Sequence, residues 1–185
     1  LIRQVYRLYP YYAIRSDMKE RLLTSEELEA VREAGYVRSE PRRVLFTLGY
    51  EGRTIEDYIN QLIRNGITHL CDVRLNPLSR KFGFSKSSLS TMLPKFNIEY
   101  SHVPELGVES EQRRELSTPN QYNALFREYR NALPGRKEGL EKVRSLMTTH
   151  ARLAITCYER EHQSCHRHCV SDHFVHEFGT SVVHL

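Results

Sequence analysis

From residue 44 onward the hydrophobic period of the chain switches repeatedly between the short apolar runs of buried strands and the 3.6-residue stripe of amphipathic helices. Val44-Leu45-Phe46-Thr47-Leu48 is a run of the first kind. Thr54 then offers an N-cap to a helix whose Ile55, Tyr58, Ile59, Leu62 and Ile63 recur at i, i+3, i+4, i+7 and i+8, and Gly66 closes it. The alternation continues with a strand over 67–73, a short helix from Ser85 to about Pro94 and a strand over 98–103. Asn120 is expected to cap a helix carrying Tyr122, Leu125, Phe126 and Tyr129, and a second helix carries Leu140, Val143, Leu146 and Met147. A strand over 153–157, a helix from about Cys165 to Phe178 stopped by Gly179, and a final strand over 181–184 complete the pattern. Strands separated by helices need crossover connections, which predicts an α/β fold with a mainly parallel sheet and helices on both faces.

Residues 1–42 read differently. They open with Tyr6, Tyr9, Tyr11 and Tyr12, and Thr24-Ser25-Glu26-Glu27 has the form of a capping box, with Leu28 and Val31 facing inward and Gly35 as the stop. The polar stretch Ser39-Glu40-Pro41-Arg42-Arg43 marks a boundary, so we expect a helical N-terminal annex over 1–42, compatible with the tail of a truncated upstream domain, and an α/β domain over 43–185. At 185 residues, 39% hydrophobic and 27% charged, the chain can bury one ordinary core. It has no apolar run of about eighteen residues and no collagen-like or low-complexity bias, which excludes those classes and predicts no membrane partner. Four cysteines are too few and too unevenly placed for a secreted disulfide scaffold, so a reducing cytoplasmic location is expected. A formal net charge of +4 permits an anionic partner without requiring one. Nothing in the sequence bears on oligomeric state.

In an open parallel sheet ligands bind beyond the carboxyl ends of the strands, and here those ends are polar. The first strand runs into Gly49-Tyr50-Glu51-Gly52-Arg53, the second into Asp72-Val73-Arg74 and then Pro77-Leu78-Ser79-Arg80, the third into Pro104-Glu105-Leu106-Gly107. The strand from 153 ends in Cys157-Tyr158-Glu159, and the next helix opens with Cys165-His166-Arg167. Asp72 beside Arg74 reads either as a catalytic carboxylate next to an anion-binding guanidinium or as an ion pair pinning the strand. Residues 73–98 hold Arg74, Arg80, Lys81, Lys86 and Lys95 without one acid, interleaved with Phe82, Phe84 and hydroxyls, a composition suited to phosphate and a stacked base or to a solvated loop. Ser85, at the start of a short helix, adds free backbone N–H groups. Cys165 at a helix start beside Arg167 reads as an acidified nucleophilic thiol or as a small buried hydrophobe.

These segments, taken in order as Thr47-Leu48-Gly49-Tyr50, Asp72-Val73-Arg74, Pro77-x-Ser79-Arg80, Gly83-Phe84-Ser85-Lys86, Pro104-Glu105-Leu106-Gly107 and Glu159 followed by Cys165-His166-Arg167, resemble the DUF488 domain of unknown function over about residues 44–185. The resemblance implies a compact α/β domain of bacterial or archaeal type with a polar cleft built from those motifs, and it carries no reaction. The chain departs from the family pattern in its longer loop after Glu159, its extra histidines and Cys169.

The leading expectation is an enzyme acting on a phosphate-bearing, nucleotide-like or nucleic-acid substrate. Its catalytic candidates are Asp72, Glu159 and Cys165. Its binding candidates are Tyr50, Arg74, Ser79, Arg80, Ser85, Lys86, Glu105, His166 and Arg167. The alternative is a nucleic-acid-binding or regulatory module using the same basic rim extended by the annex, and a protein interaction domain is a third reading. His162, Cys165, His166 and Cys169 share a helical face, but no second ligand pair such as CxxC accompanies them, so no metal is expected. No P-loop, GxGxxG or GxSxG is present, and no cofactor is expected.

Overall fold

The computed structural model describes residues 1–35, 42–109, 112, 116 and 118–185. The boundary expected near residue 42 has its upstream part, 36–41, outside these residues. Five strands, β1 (Val44–Gly49), β2 (His69–Asp72), β3 (Glu99–His102), β4 (Arg152–Cys157) and β5 (Val182–His184), form one sheet in the order β3-β2-β4-β1-β5, and every neighbouring pair is parallel. The α/β class and the parallel sheet stand as expected from the alternating periods.

The helices among the described residues are α1 (Ile2–Leu8), α2 (Pro10–Ile14), α3 (Lys19–Leu22), α4 (Ser25–Ala34), α5 (Ile55–Arg64), α6 (Lys86–Met92), α7 (Pro119–Ala132), α8 (Lys137–Thr149) and α9 (Arg167–Phe178). None is long and apolar enough to cross a membrane. Local chemistry sets their starts. The Thr54 hydroxyl accepts from the Asp57 N–H at 3.2 Å and starts α5, and Thr24 and Glu27 form a reciprocal capping box at α4. At α7 the cap is Thr118 rather than Asn120: Pro119 presets the first helical φ, and Gln121 reaches back to complete a capping box. The last helix begins at Arg167, two residues later than expected, because Cys165 is extended at φ −136° and ψ 138°, following a 3₁₀ turn over His162–Ser164.

Alternate strand residues enter two separate apolar clusters, as a side-chain period of two requires. Leu45, Cys71, Leu153 and Ile155 pack with Phe126 of α7, Val143 of α8 and Val170 and Phe174 of α9. Phe46, Leu48, Leu70 and Ala154 pack with Ile59 and Leu62 of α5 and Leu89 of α6. A third, smaller cluster, Tyr6, Ala13, Leu23 and Val31, is formed within residues 1–35. Helix α2 is tied to α5 by Asn60, whose buried Oδ1 accepts from the backbone N–H groups of Tyr11 at 3.0 Å and Tyr12 at 3.3 Å, while the Tyr12 ring lies 5.5 Å from Phe96.

Strand order places one crevice. The chain leaves β2 toward β3 and leaves β4 toward β5, on opposite sides of the seam where β2 and β4 pair, which is a topological switch point. Asp72 is in register with both His102 and Thr156, and Gly49 with Cys157, so the carboxyl ends of four strands are level there.

Candidate functional site at the carboxyl edge of the sheet

Above that seam lies a cleft of about 630 Å³. Tyr50 after β1, Arg74 and Asn76 after β2, and Cys157, Tyr158 and Glu159 at the end of β4 line it, with Ser79, Arg80 and Lys81 along one side and His166 on the floor. Of the residues singled out in the sequence, the structure therefore brings Tyr50, Arg74, Ser79, Arg80, Glu159 and His166 together.

Asp72 is fully buried below the cleft rather than in its wall. Arg74 donates to it three times, from Nε at 2.8 Å and the backbone N–H at 3.1 Å to Oδ1 and from Nη2 at 2.5 Å to Oδ2, and Tyr100 donates to Oδ2 at 2.7 Å. Arg74 Nη1 donates to the Tyr50 hydroxyl at 2.8 Å and to the Phe84 carbonyl at 2.9 Å. Among the described residues these bonds occupy four of its five N–H donors and leave one on Nη2. Burial by itself lowers the Arg74 pKa, but the Asp72 hydrogen bonds and charge outweigh it and raise it above the ordinary range. Burial and the neighbouring Asp72 also push the Tyr100 hydroxyl up. The pair thus holds the loop after β2 in place and aims Tyr50, whose ring stacks on Phe84 at 4.5 Å and meets Tyr158 edge-on at 5.3 Å.

The floor is thiol and imidazole. The Cys157 thiol donates to Glu159 Oε2 at 3.7 Å and lies 3.8 Å from His166 Nδ1. Cys165 Sγ lies 4.0 Å from the same Nδ1. Cys165 is completely buried, and desolvation pushes its thiol up to about 12, opposite to the direction a helix start and a nearby Arg167 would give. Arg167 turns away: buried, it donates to the Glu159 and Arg160 backbone carbonyls and so clamps the turn after β4. That turn is also pressed against β1, since a Cβ on Gly49 would meet the Glu159 carbonyl oxygen at 1.7 Å.

Three more sequence candidates lie outside the cleft lining. Ser85 caps α6 through the Ser88 N–H at 3.1 Å, and Lys86 Nζ lies 3.2 Å from His102 Nδ1. Glu105 receives Lys142 Nζ at 2.5 Å, which holds its carboxyl below the usual range. Lys81, by contrast, is a cleft residue: its Nζ donates to the Tyr50 carbonyl at 3.2 Å and sits 5.5 Å from the Phe84 ring centroid. Cys157, Asn76 and Tyr122 of α7 also line the cleft without having been singled out as site residues. For Cys157 the signal was present, because it ends a strand; Tyr122 sits on a helical stripe that reads as core.

Two features define the class of this chain: a parallel α/β sheet and a polar, partly cationic cleft at its switch point. The chain matches the family described as Domain of unknown function DUF488 over residues 54–174 and belongs to that family. The Thr47-Leu48-Gly49-Tyr50 segment and residues beyond 174 lie outside the matched stretch. No curated protein and no solved structure matches the chain.

Proposed function

We propose that the cleft is the active site of an enzyme acting on a phosphate-bearing, nucleotide-like substrate, free or within a nucleic acid. The observation that carries this reading is the apposition, in one concave site, of Arg80, Lys81 and the spare Nη2 hydrogen of Arg74 with the Glu159 carboxylate and the His166 imidazole. Arginine and lysine beside one another take phosphate oxygens through charge-assisted hydrogen bonds. Tyr158, 44% exposed at the rim, offers a face on which a base can stack. Glu159 is the acid/base group of this reading, because its carboxylate borders the cleft, while Asp72 is a positioning residue that acts through Arg74. Among the described residues none of the four cysteines is held in a disulfide, which suits a reducing compartment such as the cytoplasm. The annex tyrosines Tyr6 and Tyr12 are packed inward, which supports a cleft substrate over a binding surface extended along the annex.

The test is a calorimetric titration with nucleoside monophosphates and a short single-stranded oligonucleotide, followed by mass-spectrometric detection of any product. Saturable binding that survives moderate salt, with turnover lost in Glu159→Gln while binding persists, is expected. Binding that is weak, unsaturable and abolished by salt overturns the enzyme reading in favour of a diffuse electrostatic module.

A further inference from the structure

The floor of the cleft holds three donors that anion binding does not use. Cys157 ends β4, and the chain returns through the 158–164 turn to bring Cys165 and His166 against it. The two Sγ atoms and His166 Nδ1 all lie within 4.8 Å of one another, and all three residues are buried, at 1%, 0% and 2% exposure. His166 is oriented from behind: its Nε2 lies 3.2 Å from the Val73 carbonyl oxygen, which can only accept. The ring proton therefore sits on Nε2, and Nδ1 turns its lone pair toward both sulfurs. A backbone carbonyl holding the far nitrogen of a histidine is the outer-shell arrangement that orients imidazole ligands in metal centres.

We propose that Cys157 Sγ, Cys165 Sγ and His166 Nδ1 bind one Zn²⁺, with the fourth coordination position open to the cleft beside Glu159. A tetrahedral zinc with Zn–S of about 2.3 Å and Zn–N of about 2.0–2.1 Å separates such donors by about 3.5–3.8 Å. The observed S···N separations of 3.8 and 4.0 Å require a contraction of a few tenths of an ångström at most. Two soft sulfur donors and an imidazole in a dry pocket select zinc over magnesium or calcium. Binding releases both thiol protons to solvent, and the two thiolate charges cancel that of the ion, so the filled site is neutral where burial penalises net charge. Cys157, His166 and Glu159 face the cleft and Cys165 lies behind them, which is why the open position points to where a substrate enters. Three protein ligands with one free position is the pattern of a catalytic zinc, which polarises an oxygen or lowers the pKa of a bound water.

This set differs from the helical-face set His162, Cys165, His166 and Cys169 read from the sequence, and it reverses the expectation of no metal. Cys169 Sγ is directed to the Phe126 carbonyl, whereas the second sulfur comes from a strand eight residues before Cys165. Metal binding does not depend on the enzyme reading of the cleft, although a catalytic role for the ion does.

The experiment is a titration of the reduced, chelator-treated chain with Co²⁺ and then Zn²⁺. One equivalent of Co²⁺ giving thiolate-to-cobalt charge-transfer bands, displaced by Zn²⁺ with release of two protons per ion, is expected. Cys157→Ser and Cys165→Ser should each weaken binding more than about 100-fold, beyond the 10–100-fold typical of outer-shell changes, while Cys169→Ser keeps the spectrum. His150→Ala serves as the control for the other grouping of donors, His69, Glu99 and His150, at the opposite edge of the sheet. Co²⁺ bound without charge-transfer bands, or bands that survive in Cys165→Ser, overturns the proposal, and the wild-type spectrum decides even if a serine variant fails to fold. Measuring nucleoside monophosphate binding with and without the ion separates the two readings: zinc without anion binding removes only the substrate assignment, and anion binding without zinc removes only the metal.

Discussion

Arg74 grips Asp72 through two side-chain hydrogen bonds, Nε to Oδ1 at 2.8 Å and Nη2 to Oδ2 at 2.5 Å, in a pocket where the carboxylate has no exposed surface. Removing one partner strands the other charge in a low dielectric, which typically costs about 3–5 kcal/mol. Asp72→Asn and Arg74→Ala should therefore each lower the unfolding free energy by several kcal/mol, and the double variant by clearly less than the sum, as read from urea unfolding. Additive losses would mean that the two residues do not act as a pair.

The close approach of β1 to the turn after β4 makes Gly49 a steric requirement. An alanine Cβ there would fall 1.7 Å from the Glu159 carbonyl oxygen and 2.5 Å from its carbon, both backbone atoms that cannot swing aside. Gly49→Ala should destabilise the protein by roughly 3 kcal/mol or more, in the class of overpacked cores. Thermal unfolding of the variant measures this, and a wild-type midpoint would contradict it.

His69 is buried at the start of β2, where desolvation first and the neighbouring His150 second lower its pKa to about 4, with Glu99 opposing them. The unfolded chain binds this proton near pH 6.5 and the folded chain only near 4, so the unfolded state holds more protons in between. The contribution is complete above pH 6.5 and is lost as the pH falls toward 4, on the order of 3 kcal/mol. Unfolding free energies measured between pH 7.5 and 4.5 should fall more steeply in the wild type than in His69→Gln. Parallel profiles would remove His69 from the acid response.

Anion binding should depend on the cations that face the cleft. Arg80→Ala and Lys81→Ala are expected to weaken nucleoside monophosphate binding by about tenfold each, the scale of one charge-assisted hydrogen bond. Lys95→Ala, at an exposed position of the 3₁₀ turn Leu93–Phe96, should leave it unchanged. Arg167→Ala should lose stability instead, since its guanidinium holds the Glu159 and Arg160 carbonyls. Equal losses across all four variants, erased by salt, would indicate nonspecific attraction.

Much of the architecture was legible along the chain because its signals are local. The stripe of Ile55, Tyr58, Ile59, Leu62 and Ile63, the Thr54 cap and the Gly179 stop at φ +61° each depend on residues within a few positions of one another, and all are found as read. The polar ends of the parallel strands likewise pointed to the edge of the sheet where the cleft lies. The partners of individual site residues were not legible. Whether Arg74 faces a ligand or Asp72, whether Arg167 reaches the cleft or a carbonyl, and which sulfur joins Cys165 all follow from the order β3-β2-β4-β1-β5, which sets residues 49, 72 and 157 side by side. That order is chosen by the packing of whole strands and helices into two apolar clusters, a balance summed over the chain. No short window of sequence contains it, and so the same motif reads equally well as ion pair or catalyst until its neighbours across the sheet are known.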